Sequence, residues 1–560
     1  MRQLLLAATT ACLALAATTP LSVKNDKTVL ILGGGVAGII AARTLAERNI
    51  TDVLLIEARP ELGGRMRSLD FGSQGNTATI ELGANWVQGA GGGNPILALA
   101  AEHGLRTVPS DFYGSVERQL SPRITWHDTQ RYPLARNSTY DENGEGDYLG
   151  VLEQAIVAYT NLSDVGVLRA SKGHADMNSR AGYSLMGMKP ETPLDMAAEY
   201  FMVDWQYAQT PEQTSWIASS MVHRYTYDVA HGGFSGRNLL SVDQRGFKHL
   251  IQAESEKFLQ PEQVLLNATV RRIAYSPERV VVTLADGTSI SADYVISTFS
   301  LGVLQNDDVL FRPALPMWKM EAIHSMTMAT YTKIFLQFDE KFWFDTQFAL
   351  YADKERGRYP VWQSLDLEGF LPGSGILFAT VTGDYARRIE LLSDAQVLEE
   401  LLSVLQTMFP NTTIPSPTAF LFPRWTADPL YRGSYSNWPA SFVREHHTNL
   451  RANVGKRLWF AGEATSLRYF GYLHGAYLEG MDIAAHVADC VLSKGDECVG
   501  LPFVDSVEMR MRNSGEAPAR VGYRPASGPR VDVRPFLAGV LSSVLPYSWW
   551  WWCVKAGFVP

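Results

Sequence analysis

Three glycines and one glutamate near the start of the chain have the spacing of a dinucleotide-binding motif. Gly33, Gly35 and Gly38 follow a short apolar run and match the pattern G-x-G-x-x-G. The first glycine allows a tight turn, the second lets the backbone approach a pyrophosphate, and the third lets a helix pack closely on a strand. Glu57 follows about twenty residues later and can accept a hydrogen bond from a ribose hydroxyl. These residues predict a site for the diphosphate and ribose of a dinucleotide.

The elements that must position this motif are visible around it. Residues 28–32 and 53–56 are short apolar runs, which are typical of buried parallel strands. Residues 36–48 are rich in Ala, Leu and Ile and predict a helix, whose N-terminus favours a bound anion. Residues 263–297 predict a β-meander with a hairpin turn. Further predictions are a largely helical region over 148–220, strands over 333–338, 375–382 and 457–463, and a helix over 475–492.

Lys333 alternates with Tyr331 on one of these predicted strands, so both side chains share one face of the sheet. On the strand pattern alone, a lysine in solvent at a sheet edge is the simpler interpretation.

Length and composition place the chain among multidomain globular proteins. It has 560 residues, which is too long for one core, so two or more domains are expected. The net charge of −9 argues against a nucleic-acid surface. The sequence shows no internal repeat and no metal-ligand pattern of the H-E-x-x-H or paired C-x-x-C kind, so no metal is predicted.

The two ends of the chain have unusual compositions. Residues 1–19 predict a secretory signal peptide, with Arg2 before an apolar stretch and small residues at its end. Residues 500–560 form a linker rich in Arg, Pro, Gly and Ser and then an apolar tail with four consecutive tryptophans. The tail suits a membrane-interface contact, a cleaved lipid-anchor signal or a disordered extension, and the sequence does not choose among them.

Secretion agrees with two further patterns. Cys490 and Cys498 are close enough for a disulfide in an oxidising compartment, although two separate thiols are an equal alternative. The sequence also contains N-glycosylation sequons. They begin at Asn49, Asn137, Asn161, Asn267 and Asn411.

Ten sequence blocks in order resemble those of flavin-dependent amine oxidases, and within them the secreted polyamine oxidases of plants and fungi. The blocks extend from about residue 28 to about residue 498. They are Gly33-Gly-Gly-Val-Ala-Gly38, Glu57-Ala-Arg59, Leu62-Gly-Gly-Arg65, Glu81-Leu-Gly-Ala-Asn-Trp-Val87, Asp243-Gln-Arg-Gly246, Tyr331-Thr-Lys-Ile-Phe335, Pro423-Arg-Trp425, Gly433-Ser-Tyr-Ser-Asn-Trp-Pro439, Phe460-Ala-Gly-Glu-Ala-Thr-Ser466 and Gly471-Tyr-Leu-His-Gly-Ala-Tyr477.

The resemblance implies an α/β fold. It comprises a discontinuous FAD-binding domain, Rossmann-like and of the glutathione-reductase type, and an α+β substrate domain with a mixed sheet and helices. The FAD-binding domain would take residues 28–98, 240–300 and 440–495. The substrate domain would take residues 99–239 and 301–439.

The resemblance also implies noncovalent FAD, since the stretch Ala464-Thr-Ser466 offers no cysteine to tether a flavin. Glu57 would bind the adenosine ribose, Glu463 would contact the region between diphosphate and ribityl, and the backbone of Val270 would meet the adenine. The implied cofactor-binding set is Gly33, Gly35, Gly38, Glu57, Arg59, Arg65, Ala84, Asn85, Trp86, Val270, Trp425 and Glu463.

The implied reaction is oxidation of a polyamine at a secondary amine by hydride transfer to flavin N5, with O2 as the acceptor and an aminoaldehyde and H2O2 as products. Lys333 would bind a water at flavin N5. Tyr435 and Tyr472 would flank the amine, and Tyr331, Gln88 and Gln206 would complete the substrate site.

Gln88 and Gln206 depart from the family pattern, because plant polyamine oxidases carry glutamates at the matching positions. An amide holds an ammonium more weakly than a carboxylate does. The substitution therefore favours an acetylated polyamine, unless other acids such as Asp204 or Asp195 bind the second ammonium.

Two other interpretations remain open. The first is an oxidase of another substrate, such as a simple monoamine or an L-amino acid. An L-amino acid would need an arginine for its carboxylate, and Arg224 and Arg237 have no assigned place. A flavin-fold protein with little activity, used for partner binding, is the second alternative. Lys333, Tyr435 and Tyr472 argue against it. The sequence does not indicate the oligomeric state.

Overall fold

The structure is a computed structural model that describes residues 23–110, 138–493 and 498–504. The predicted signal peptide, Asn137 and the tail beyond residue 504 lie outside the described residues. The strands are β1 Val23–Leu32, β2 Val53–Ile56, β3 Ser68–Ser73, β4 Asn76–Glu81, β5 Trp86–Val87, β6 Thr107–Ser110, β7 Ser138–Asp141, β8 Gly144–Glu145, β9 Asn238–Ser241, β10 Val264–Leu265, β11 Val270–Tyr275, β12 Val280–Leu284, β13 Ser289–Ser297, β14 Leu310–Arg312, β15 Thr327–Ala329, β16 Tyr331–Gln337, β17 Phe348–Tyr351, β18 Val361–Ser364, β19 Ile376–Thr382, β20 Ala419–Leu421, β21 Tyr435–Asn437 and β22 Leu458–Phe460.

The helices alternate with the strands in the dinucleotide region and cluster between residues 149 and 227. They are α1 Val36–Glu47, α2 Pro95–Glu102, α3 Leu149–Ser171, α4 Ser179–Leu185, α5 Pro193–Met202, α6 Asp204–Tyr207, α7 Trp216–Tyr227, α8 His249–Ser255, α9 Leu301–Leu304, α10 Met317–Ser325, α11 Gly383–Glu390, α12 Asp394–Met408, α13 Arg444–Arg451 and α14 Leu473–Leu492. The mixed α/β fold and the helical region around 148–220 are confirmed.

The first sheet is built around β1, as the apolar run predicts. Its strand order is β10-β2-β1-β13-β12-β11-β14, and β22 also pairs with β13. β1 is parallel to both neighbours. Val29 and Ile31 pack into the core that contains α1 and α14, whereas Leu30 and Leu32 belong to the core on the other side. Because both faces are covered there, residues 29–32 of the strand are continuously apolar instead of alternating.

The second large sheet carries Lys333. Its order is β20-β16-β19-β18-β17-β7-β8, and β16 lies between β20 and β19. Lys333 is opposite Thr380 in the antiparallel register. The lysine side chain is 2% exposed, so the interpretation of a lysine in solvent is wrong.

Cys490 at the end of α14 is bonded to Cys498, which decides between the disulfide and two separate thiols. The four sequon asparagines within the described residues, Asn49, Asn161, Asn267 and Asn411, are all exposed. Within the described part of the chain, no helix has both the length and the apolar character needed to cross a bilayer.

Candidate active site

One cavity of about 450 Å³ connects the glycine motif with the lysine-bearing sheet. Gly33, Gly35 and Glu57 line it where β1 and β2 end, and Lys333 of β16 and Tyr435 of β21 also line it. The cavity therefore brings together residues that the sequence spreads over four hundred positions.

The glycines shape the wall in the way that their spacing predicts. Gly33 has a φ of +111°, which favours glycine. A Cβ at Gly38 would lie 2.0 Å from the carbonyl oxygen of Gly33, so only glycine lets α1 approach this closely. Gly35 is the N-cap of α1 and has no side chain to satisfy the first amide groups. These N–H groups and the helix dipole form an anion site in the cavity wall.

Glu57 lies beside this helix end and is 7% exposed. Its two carboxylate oxygens accept hydrogen bonds from the backbone N–H of Gly34 at 2.7 Å and of Arg59 at 2.8 Å. Burial raises the pKa of Glu57, and these N–H groups oppose the increase. A carboxylate oxygen can accept more than one hydrogen bond, so Glu57 can also receive ribose hydroxyls.

Glu463 connects three parts of the cavity wall. Its carboxylate accepts hydrogen bonds from the Arg65 guanidinium at 2.7 Å and from the backbone N–H of Gly471 at 2.7 Å and Ser436 at 3.2 Å. The side chain is 5% exposed. Glu463 therefore positions Arg65, β21 and the turn before α14, in addition to lining the cavity itself.

The remaining predicted cofactor residues also lie on this cavity. Arg59 is over the ring of Tyr431, with 5.9 Å between the guanidinium carbon and the ring centroid. Trp425 contacts the same tyrosine at a centroid distance of 4.9 Å. Ala84, Asn85, Trp86 and Val270 also line the cavity, so of the predicted cofactor set Gly38 alone is not a lining residue.

Lys333 is held by main-chain oxygens. Its Nζ donates hydrogen bonds to the carbonyl oxygens of Glu81 at 3.0 Å and Gly83 at 2.7 Å. It also lies 5.4 Å from the ring centroid of Trp86. Burial lowers the pKa of Lys333 to about 7, and the negative charge of Glu81 opposes the decrease. The lysine is therefore poised to change its protonation state near neutral pH.

The Glu81 carboxylate is itself buried and bonded. It accepts hydrogen bonds from the Ser68 hydroxyl and from the backbone N–H of Phe247, both at 2.6 Å. Burial raises the pKa of Glu81, and these donors and the Lys333 charge lower it. The loop from Glu81 to Trp86 thus supports Lys333 through its backbone and its charge.

Three tyrosines surround the cavity near the lysine. The Tyr435 hydroxyl donates to the backbone oxygen of Gln206 at 3.0 Å, and its ring contacts Tyr331 at a centroid distance of 5.9 Å. Tyr472 stacks on His474 at 5.0 Å with an angle of 16° between the rings. Burial raises the pKa of all three phenols, so they stay neutral at physiological pH.

Gln88 and Gln206 both line the cavity. The carboxylates that line it are Glu57, Asp308 and Glu463. Each of them already accepts hydrogen bonds from protein groups, with Asp308 held by Arg432 at 2.8 Å. Among the described lining residues, Asp308 and Glu463 are therefore each neutralised by an arginine, and Glu57 lies at the glycine motif.

The suggestion that Asp204 or Asp195 replaces the family glutamates is wrong. Asp204 forms a bidentate ion pair with Arg356, at 2.6 and 3.2 Å. Asp195 caps the N-terminus of α5 by accepting hydrogen bonds from Thr192. Neither aspartate is among the residues that line the cavity.

Several lining residues were not predicted. Trp205, Tyr207, Tyr431 and His474 all contact the cavity. Trp205 and Tyr207 flank Gln206, and His474 is two positions from Tyr472, so proximity to predicted residues was the available signal. His474 is 2% exposed and its Nε2 has no hydrogen-bond partner among the described residues. Burial lowers the pKa of His474 to about 3, so its ring is neutral.

The wall fits a flavin dinucleotide. The uncapped N-terminus of α1 suits a diphosphate, and Glu57 suits a ribose. The buried side-chain oxygen of Asn85 has no partner among the described residues, and it can accept a hydrogen bond from a ligand hydroxyl. Fold and cavity together define a dinucleotide-dependent oxidoreductase.

The chain belongs to the family of flavin-containing amine oxidoreductases, whose model matches residues 36–488. Its cofactor is FAD and it is an amine oxidase.

Among its relatives, polyamine oxidase 1 of Zea mays is 37% identical over 490 residues, covering 83% of this chain and 91% of the relative. Polyamine oxidase 6 of Oryza sativa subsp. japonica is 35% identical over 481 residues, covering 83% and 91%. A solved structure of an engineered putrescine oxidase has a TM-score of 0.63 and 16% identity, covering 84% of this chain and 99% of that chain. At that identity the structural likeness supports the fold alone.

Proposed function

We propose that the protein oxidises a polyamine, or an N-acetylated polyamine, at a secondary amine. The observation that carries this proposal is a single cavity in which Lys333, Tyr331, Tyr435 and Tyr472 lie together. The relatives named polyamine oxidases support the substrate class.

The overall reaction is R–CH2–NH–R′ + O2 + H2O → R–CHO + R′–NH2 + H2O2. When bound, FAD supplies the two-electron acceptor for the hydride on the carbon beside the amine nitrogen. Water then hydrolyses the resulting iminium of the substrate to the aldehyde and the amine.

The aromatic residues of the cavity bind the substrate amine and favour its neutral form. Their rings attract an ammonium as it enters and exclude water around the reacting carbon. Desolvation favours the neutral amine, which has the lone pair that the forming iminium needs. The hydroxyl of Tyr435 is fixed by the Gln206 carbonyl, so the Tyr435 ring holds one orientation.

Lys333 acts as a proton acceptor in the proposed reaction. A neutral lysine has two N–H groups, and the carbonyls of Glu81 and Gly83 can accept both. The lone pair on Nζ is then free to accept a proton from the amine or from a bound water. The neutral form is the active one, so the step that uses Lys333 becomes faster as the pH rises through about 7.

The charge of the cavity favours a substrate with few ammonium groups. Gln88 and Gln206 are neutral, and the described carboxylates of the wall already have protein partners. A second ammonium would lose hydration without gaining a charge-assisted hydrogen bond. An acetylated polyamine, in which an amide replaces one ammonium, avoids this cost.

An L-amino acid fits less well. Its carboxylate would need an arginine at the tyrosine end, but Arg224 is 3.9 Å from Asp228 and Arg237 is exposed. Neither is a lining residue. Three arginines of the described chain line the cavity. Arg59 and Arg65 belong to the predicted cofactor set, and Arg271 directly follows Val270 of that set.

We also propose noncovalent FAD and a secreted protein. Ala464, Thr465 and Ser466 provide no thiol for a flavin tether. The bonded pair of Cys490 and Cys498 and the exposed sequon asparagines agree with an oxidising, extracellular location.

A peroxide assay on a panel of amines tests the substrate. The panel contains spermine, spermidine, N1-acetylspermine, a simple monoamine and an L-amino acid. We expect the highest kcat/KM with N1-acetylspermine, by about tenfold over spermine. The variant Gln88→Glu should raise kcat/KM for spermine and leave N1-acetylspermine nearly unchanged. A wild-type preference for spermine contradicts the charge argument, and turnover of the amino acid alone contradicts the proposed function.

A further inference from the structure

The wall of the cavity contains a helix of a single turn, α6. Three of its four residues, Trp205, Gln206 and Tyr207, line the cavity. The helix ends at Ala208, which has a φ of +53°. One turn of helix has too few internal hydrogen bonds to be stable alone, so side-chain contacts must hold it in place.

An ion-pair network holds the first residue of α6. Asp204 is 3% exposed and receives two hydrogen bonds from Arg356, at 2.6 and 3.2 Å. Arg356 also donates to Glu199 on α5 at 2.8 Å. Glu199 in turn accepts a hydrogen bond from Arg180 on α4 at 2.6 Å. Arg356 thereby joins the β17–β18 connection to three helices.

The position of α6 determines where two aromatic rings of the proposed amine site, those of Trp205 and Tyr435, lie. The Gln206 carbonyl accepts the Tyr435 hydroxyl at 3.0 Å. The Trp205 ring contacts Trp86 edge-on at 5.6 Å and stacks on Phe201 at 5.1 Å. A displacement of α6 would therefore move the Trp205 ring and release the Tyr435 ring at the same time.

We propose that Arg356 is a positioning residue for amine binding, which acts by fixing Asp204 and with it the cavity-lining helix α6. The inference rests on the proposed function of Tyr435 and Gln206 as parts of the amine site. Arg356 itself is not a lining residue, so its effect reaches the substrate only through α6.

The electrostatics of the pair add a pH dependence. The pKa of Asp204 is raised to about 7, mainly by burial. The charges of Glu199 and Glu212 also raise this pKa, whereas the charge and hydrogen bonds of Arg356 oppose the increase. The phenols of Tyr183 and Tyr200, and Arg180 through Glu199, are the other titratable or charged groups around Asp204. Below pH 7 the protonated Asp204 holds Arg356 less firmly, so KM for the amine should rise as the pH falls.

Arg356→Gln in the FAD-loaded enzyme tests this inference. We expect KM for the best amine of the panel to increase about tenfold while kcat changes less than twofold. Hydrogen exchange of the peptide 204–209 should become faster. Arg356→Lys, which keeps the charge but not the bidentate geometry, should be intermediate.

The matched control is Arg358→Gln. Arg358 lies two residues away in the same connection and pairs with Asp353 at 3.3 Å, outside the network. The Arg358→Gln variant should have the wild-type KM and the wild-type rate of hydrogen exchange in the peptide 204–209. Equal effects of the two variants, or a wild-type KM in Arg356→Gln, would overturn the inference. The exchange measurement needs no substrate, so it distinguishes failure of this anchor from failure of the proposed function.

Discussion

Lys333 is the residue of the cavity whose protonation state is closest to changing at neutral pH. Its pKa is lowered to about 7 because the strand that carries it is buried, and the Glu81 charge keeps it from falling further. Lys333 also has main-chain partners on the loop that carries Trp86. Position and protonation state therefore depend on the same loop.

Lys333→Met tests this role. Methionine has a similar length and no proton to exchange, so FAD should remain bound. We expect amine-dependent flavin reduction, or reoxidation by O2, to slow by about a hundredfold. The affected step should also lose the increase in rate that the wild type shows as the pH rises through about 7. Stopped-flow absorbance of both half-reactions over pH 5.5 to about 9 measures this.

The control is Lys354→Met, because the Lys354 side chain is 77% exposed and pairs with Glu142 at the surface. Its half-reactions should match those of the wild type. Unchanged rates in Lys333→Met would exclude a chemical role for the lysine.

At the scale of elements, the close contact of β1 with α1 creates the anion site. Gly38 is the residue at which the helix touches the turn after the strand, because its missing side chain leaves room for the Gly33 carbonyl. A second close contact occurs where α14 crosses α1, since a Cβ at Gly480 would lie 2.3 Å from the Ala37 carbonyl oxygen. Gly38 and Gly480 thus determine how closely α1 packs against the turn after β1 and against α14.

Gly38→Ala should displace α1 from β1 and weaken FAD binding. The added Cβ would overlap the Gly33 oxygen, and such overpacking costs about 1–3 kcal/mol. We expect a lower content of bound FAD after purification and a lower Tm, both followed by flavin fluorescence during heating.

Gly150→Ala is the matched substitution. Gly150 is exposed in the first turn of α3, and an added Cβ there meets nothing within 4 Å. This variant should keep its FAD and gain roughly 0.5–1 kcal/mol of stability, since alanine loses less conformational entropy on folding. Normal FAD content in Gly38→Ala would show that α1 can move without loss of the site.

At the scale of the whole molecule, the disulfide and the exposed sequons are features that the proposed secretion of the protein would explain. The surface positions of Asn49, Asn161, Asn267 and Asn411 leave each asparagine accessible to a glycosyltransferase. The predicted signal peptide would bring the chain to that enzyme.

Expression of the full chain in a eukaryotic host should give a glycosylated protein in the medium. Treatment with an N-glycosidase should then lower its mass, and Asn→Gln at the four exposed sequons should remove most of that change. A chain that starts after residue 19 should remain inside the cell and show no mass change on the same treatment. Retention of the full chain without glycans would contradict the secreted location.

Much of the dinucleotide half of the site could be predicted from local sequence. The glycine spacing, the apolar runs and Glu57 each reflect a demand that acts within a few residues, such as a turn or a buried strand. The same holds for α14, which begins at Leu473, two residues before its predicted start.

The partners of charged residues could not be predicted in this way. Lys319 and Lys333 are both buried, but Lys319 donates to the carbonyls of Leu450 and Ala452 at the end of α13 and is not a lining residue of the cavity. Asp204 pairs with Arg356, which is 152 positions away, and not with a substrate ammonium. The residues next to Lys319 and Asp204 in the sequence do not indicate these distant partners.

The sequence by itself determined the cofactor motif, the main strands and helices and the neutral glutamines at positions 88 and 206. Only the tertiary structure decided how Lys333 is buried and held, which acids are already paired and how α6 is held. The physical reason is that turns and strand burial depend on nearby residues. The charge state and availability of a side chain depend instead on partners that folding brings together from distant parts of the chain.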